Sequence, residues 1–122
     1  MGTPTGTAVS TGAYQLPARW VIHAVGPVWG HGGQDKIDLL ASAYAGALRE
    51  ADILGARSVS LPAISAGIFG FPIDVAATVA LRTVVAHLEG ETGIELVTFV
   101  LRGDALDAFG RRLATLQTKG PS

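Results

Sequence analysis

The chain has 122 residues, 48% of them hydrophobic and 16% charged, and nine Lys+Arg against ten Asp+Glu give a net charge of −1. That length suits one domain with one core, and the apolar balance is the reverse of a disordered chain's. No basic cluster marks a surface for duplex nucleic acid, and the lack of cysteine excludes disulfides, thiolate nucleophiles and Cys-based metal sites.

Met1–Gly6 has neither the basic nor the apolar segment of a signal peptide, and Gly6 stands where a myristoylation motif needs Ser or Thr. The longest nearly apolar stretch, Val75–Leu81, is far short of the roughly 20 residues that cross a bilayer. A soluble, cytoplasmic protein without membrane contact is expected.

The first 18 residues read as loop holding one short edge strand around Thr7–Ser10. Arg19–Val25 mixes β-branched and aromatic residues and stops at Gly26-Pro27, a strand followed by a turn. After the Gly-rich Trp29–Gly33, the residues Ile37, Leu40, Ala41, Tyr44, Leu48 and Ala51 recur at spacings of three and four, predicting an amphipathic helix. Asp35 and Asp38 suit its first turn, Arg49 its later part, and Gly55 a left-handed C-cap. Ser58–Leu61, ending at Pro62, reads as a short buried parallel strand.

Pro72 fits the first position of a second helix, with Ala76, Val79, Ala80, Thr83 and Val84 as its buried stripe and Gly90 and Gly93 bounding its end. Ile94–Leu101 is the strongest strand signal and is expected near the sheet centre. Leu106, Phe109, Leu113 and Leu116 predict a last helix opened by Asp104, and residues 1–5 and 118–122 are expected to be flexible ends of a single domain, 1–122. Alternating strands and helices imply a mostly parallel sheet covered on both faces, with ligands at the carboxyl ends of the strands.

Two loops fall at that end, Pro62–Phe71 and Arg102–Asp104. In the first, Ala63, Ser65, Ala66, Gly67 and Gly70 let the backbone pass close to a ligand. Loop amides and the amino end of the following helix can together cradle a diphosphate without a basic side chain. Composition alone leaves this and a merely tight connection both open. Phe69 and Phe71 flank Gly70; one of them can stack on a sugar or base, and Phe71 is the better candidate for the core.

Ala63-Ile64-Ser65-Ala66-Gly67 also has the outline of a serine-hydrolase elbow. Pro62 ends the strand too early for it, and the only downstream histidine, His87, falls late in a helix. The Gly-Lys-Ser/Thr of a P-loop and a Gly-x-Gly-x-x-Gly after a strand are both missing. His23, His31 and His87 show no metal-ligand spacing, and a structural role for His23 outweighs catalysis. Trp20 and Trp29 are expected to pack. Arg102 can lie on a base, pair with phosphate or stay solvated.

Thr7–Gly12, then Leu16-Pro17-Ala18-Arg19-Trp20-Val21-Ile22-His23-Ala24-Val25-Gly26-Pro27, then Leu61–Pro72 and the strand Phe99-Val100-Leu101, in that order, resemble the macro domain family across nearly the whole chain. The resemblance implies a three-layer αβα sandwich with a mixed, mostly parallel sheet. It implies a ligand, ADP-ribose or an ADP-ribosylated protein, whose diphosphate is wrapped by Ala63, Ser65, Ala66, Gly67, Ile68, Phe69 and Gly70. Phe69 then lies by the distal ribose and Arg102 beside adenine, where relatives often carry an aromatic. No cofactor or metal is implied.

Relative to that family the chain looks N-terminally truncated: two strands, a helix with an adenine-reading Asp, and the segment with the catalytic Asn and Gly-rich first loop have no counterpart. No catalytic residue is therefore assigned, and hydrolysis of ADP-ribosyl groups stays an alternative to binding, as does a non-binding interaction module. In the family's sheet order one such strand lies between those matching Arg19–Val25 and Ser58–Leu61. Its loss predicts direct closure of these strands, a homodimer across the gap, or a partner completing the sheet.

Overall fold

The computed structural model describes residues 5–6, 8–12, 20–24, 26–64, 70–101 and 103–118. Within them run β1 (Ala8–Gly12), β2 (Trp20–Ala24), α1 (Gln34–Ile53), β3 (Ser58–Leu61), α2 (Ile73–Glu89), β4 (Leu96–Phe99) and α3 (Asp104–Thr118). β1 pairs antiparallel with β2, from Ala8 opposite Ala24 to Gly12 opposite Trp20. β3 and β4 are parallel, from Ser58 opposite Leu96 to Leu61 opposite Phe99, as strands joined through a helix require.

α1 buries Leu40, Ala43, Tyr44, Ala47, Leu48 and Ala51, the apolar stripe that its three-and-four spacing dictates. It ends where Gly55 takes φ 75. The Gly55 N–H reaches the Asp52 carbonyl and the Ala56 N–H the Ala51 carbonyl, both at 3.0 Å, the bonding pattern of a glycine-terminated helix. α2 buries Ala76, Ala77, Val79, Ala80, Leu81 and Val84 and packs against both α1 and α3. One core joins these stripes to Leu61, Phe71, Ile94, Ala108 and Phe109, with Val59, Val97 and Phe99 of the β3–β4 sheet packed on it.

Five details differ from the sequence reading. Pro72 is the N-cap of α2, extended at ψ 130, and its carbonyl accepts the Ala76 N–H at 3.0 Å; the helix proper opens one residue later. β4 is shorter than Ile94–Leu101, because the Glu95 and Leu96 amides both turn to the Arg57 carbonyl, at 2.7 and 3.1 Å. Rather than central, β4 pairs among the described residues with β3 alone, and Leu96 and Val100 are exposed.

On α3, among the described residues, Ala108 and Phe109 are buried, whereas Leu106 and Leu113 are exposed: the helix turns its Ala108–Phe109 side to the core. Finally, the β1–β2 and β3–β4 ladders are separate sheets among the described residues, so β2 and β3 do not close on each other. α1 contacts both ladders, touching β1 and β2 while its Tyr44 ring meets Phe99 of β4.

Candidate functional site

The carboxyl ends of β3 and β4 and the amino ends of α2 and α3 lie at one end of the molecule, because the two strands are parallel and each helix returns from its strand. Of the eight residues assigned to ligand binding, Ala63 and Gly70 belong to the described residues. Ser65, Ala66, Gly67, Ile68 and Phe69, like Arg102, lie outside them. What can be built are the two anchors from which the segment 65–69 hangs.

The first anchor is a tyrosine. Val100 N–H to the Leu61 carbonyl, at 2.8 Å, is the last rung toward β4, leaving the carbonyl of Pro62 beyond the ladder. The Tyr44 hydroxyl takes it over, donating to the Pro62 carbonyl at 3.1 Å and accepting the Ile64 N–H at 2.8 Å. Tyr44 is 0% exposed, and its ring meets Phe99 edge-on at 6.2 Å while Phe99 stacks on Phe109 at 5.0 Å. Burial pushes its phenol well above the usual range, outweighing the opposing Ile64 hydrogen bond.

The Ile64 amide is thereby satisfied inside the fold. Ala63 is half-buried and packs on the core.

The second anchor is an aromatic pair. Gly70 takes φ 80, a conformation that L side chains rarely adopt. Phe71 then drops into the core at 4% exposure, stacking on Trp29 with ring centroids 4.7 Å apart. Trp29 packs as expected. Its own loop is shaped to it: Gly32 takes φ 78 directly beneath the indole, where a Cβ would overlap the ring, and the Gly32 N–H donates to the Trp29 carbonyl at 2.7 Å.

Beyond Pro72, no side chain caps α2, and the Ile73, Asp74 and Val75 amides have no acceptor among the described residues. A helix end of this kind carries a partial positive charge and open donors. Asp74 in the first turn offsets part of it, and its carboxylate accepts from Arg111 Nη2 at 3.1 Å, both groups exposed.

His87 lies in the last turn of α2, roughly 20 Å along the helix from Ile73 at ~1.5 Å per residue. It is committed there. His87 Nε2 and Asp52 Oδ2 are 2.7 Å apart, and Asp52 Oδ1 accepts the Thr92 hydroxyl at 2.7 Å and the Gly93 N–H at 3.1 Å. The Thr92 bond first, then those of His87 and Gly93, hold the Asp52 carboxyl below its usual range against partial burial. This histidine is thereby held at the end of α2 away from Ile64 and Gly70. Among the described residues no group of His, Asp and Glu is placed to hold a metal, and no helix is long and apolar enough to cross a membrane.

A macro domain-containing protein of Streptomyces coelicolor is 51% identical over 112 residues, covering 92% of this chain and 64% of the relative. An O-acetyl-ADP-ribose deacetylase of Klebsiella pneumoniae is 44% identical over 110 residues, covering 90% of this chain and 63% of the relative.

Among solved structures, a variant of the Oceanobacillus iheyensis macrodomain with ADPR superposes with TM-score 0.88 at 36% identity, over 96% of this chain and 63% of that one. The Trypanosoma brucei macrodomain in complex with ADP-ribose gives TM-score 0.84 at 32% identity, over 92% of this chain and 47% of that one. The chain thus spans less than two thirds of these relatives' length. The α/β fold expected from the sequence is theirs, and the Macro domain model matches residues 1–80, more than half of the 122: the chain belongs to the macro domain family.

Proposed function

We propose that the chain binds ADP-ribose, free or on a protein, with the diphosphate held where β3 passes into α2. Ser65, Ala66, Gly67, Ile68, Phe69 and Gly70 supply the cradle, Ala63 its floor, Phe69 the wall beside the distal ribose, and Arg102 a cation over adenine. The observation that carries this reading is the uncapped amino end of α2, with three amides lacking acceptors among the described residues, beside a segment whose flanks are tied by Tyr44 and by Phe71 on Trp29. Relatives of the same fold were solved with ADPR and with ADP-ribose.

Calorimetry with ADP-ribose tests it: saturable heat and a thermal upshift are expected, and no heat with no upshift at millimolar ligand ends the reading. The name of the Klebsiella relative favours a second reading, ester hydrolysis of O-acetyl-ADP-ribose. The 122 residues contain no asparagine, so an Asn of the kind used by the family's hydrolases must come from outside them, and little acetate release is expected from this chain alone.

Among the described residues β2 and β3 share no ladder, and an open strand edge is a template for pairing, which supports completion of the sheet by a second copy or a partner segment. The cytoplasm is the proposed setting.

A further inference from the structure

We infer that Tyr44 is a positioning residue for the ligand loop: its hydroxyl, bonded to both sides of Ala63, sets the direction in which the chain leaves β3 toward 65–69. This rests on the reading of that loop as the diphosphate site.

The hydroxyl has one arrangement open to it. An acceptor lone pair is used by the Ile64 N–H at 2.8 Å, so its single proton points to the Pro62 carbonyl at 3.1 Å. The ring cannot shift to relax the pair, being fully buried and bracketed by Phe99, itself stacked on Phe109. α1 therefore fixes a peptide of a different element by a rigid strut.

Pro62 makes the strut necessary. It has no N–H to donate, and its carbonyl lies past the last β3–β4 rung, so no strand bond controls the turn. A core position on α1 needs only an apolar ring, and phenylalanine satisfies that; the hydroxyl serves the loop. Burial keeps the phenol neutral, so the same proton is donated throughout the range in which ADP-ribose assays are run. With the chain fixed at Pro62 and Ile64, less of it has to be ordered when ligand arrives.

Three measurements on the full chain test the inference. In the unliganded wild type, the Ile64 amide is expected to exchange with deuterium as slowly as the core of α1; exchange at the rate of an exposed loop amide overturns the claim without any variant. In Tyr44→Phe, ADP-ribose affinity is expected to fall about tenfold, the equivalent of one lost neutral hydrogen bond, with faster exchange at Ile64. Asp52→Ala, a remote change that also lowers the melting temperature, is expected to bind like wild type and so corrects for lost stability.

Equal affinity of Tyr44→Phe and wild type overturns the inference, as does an equal loss in both variants. If the wild type itself fails to bind, the functional reading falls, while the Ile64 exchange still decides whether the strut exists.

Discussion

Replacing Asp52 with alanine dismantles a joint at the end of the molecule away from the loop. Its carboxylate accepts three hydrogen bonds, from His87, Thr92 and Gly93, tying the last turns of α1 and α2 to the approach to β4. At about 0.5–1.5 kcal/mol each the three sum to about 1.5–4.5 kcal/mol. Asp52 is 26% exposed, so water replaces part of the loss, and alanine regains about 0.5 kcal/mol of helix propensity. A net loss of about 2 kcal/mol remains, or about 8 °C in melting temperature for a domain of this size.

The pH dependence has a definite sign. The native carboxyl titrates below its unfolded value, so its contribution is complete above the unfolded pKa of about 3.9 and is lost as pH falls through the lower folded value. Melting curves of wild type and variant from pH 7 to pH 3 are the assay. The gap should hold steady to about pH 5 and then close in acid. A gap below about 0.5 kcal/mol at pH 7, within the range of ordinary surface changes, or one that widens in acid, refutes the reasoning.

Gly32→Ala sets a methyl into the Trp29 indole at φ 78 and should cost about 1–3 kcal/mol, read from denaturant midpoints; an unchanged midpoint argues against the packing described. Asp74→Asn removes a negative charge from the first turn of α2, so ADP-ribose affinity should rise about two- to fivefold at low ionic strength, the equivalent of about 0.4–1 kcal/mol, and the gain should vanish in high salt. Weaker binding at low salt excludes the α2 amino end as the diphosphate site. Native mass measurement of the purified chain should show a dimer or a bound segment, and a stable lone monomer refutes completion of the sheet.

The helices were legible because their apolar residues repeat at the period of the helix: Leu40, Tyr44, Leu48 and Ala51 are buried as the spacing requires, and Gly55 caps α1 with the positive φ its position demands. α3 failed the same test, since Leu106 and Leu113 fit the period yet are exposed. Periodicity fixes which residues share a face but not which face turns inward, and on α3 it is the side of Ala108 and Phe109. The loop was legible as small residues between a strand and a proline. Tyr44 was legible only as core, although a hydroxyl on an otherwise apolar stripe signals a buried partner; that the partner would be the peptide on either side of Ala63 depends on contacts 18 and 20 residues distant.

The two ends of the molecule carry different duties, and the assignment of residues follows from their chemistry. At one end charged and polar side chains satisfy each other: Asp52, His87 and Thr92 close the exits of α1 and α2. At the other end α2 begins with no side-chain cap, and Ile64 and Phe71, on either side of the segment 65–69, are tied by an uncharged hydroxyl and a pair of aromatic rings. A cap there would satisfy the helix and occupy the donors a diphosphate needs, and a buried charge in place of Tyr44 would carry a desolvation cost and a field of its own. A neutral strut beneath an open helix end fixes Pro62 and Ile64 while leaving the helix amides open to the proposed diphosphate. Loss of stability at Asp52 and loss of affinity at Tyr44 should therefore separate cleanly in the two variants, and a site that lost both together would have to share one scaffold with the joint.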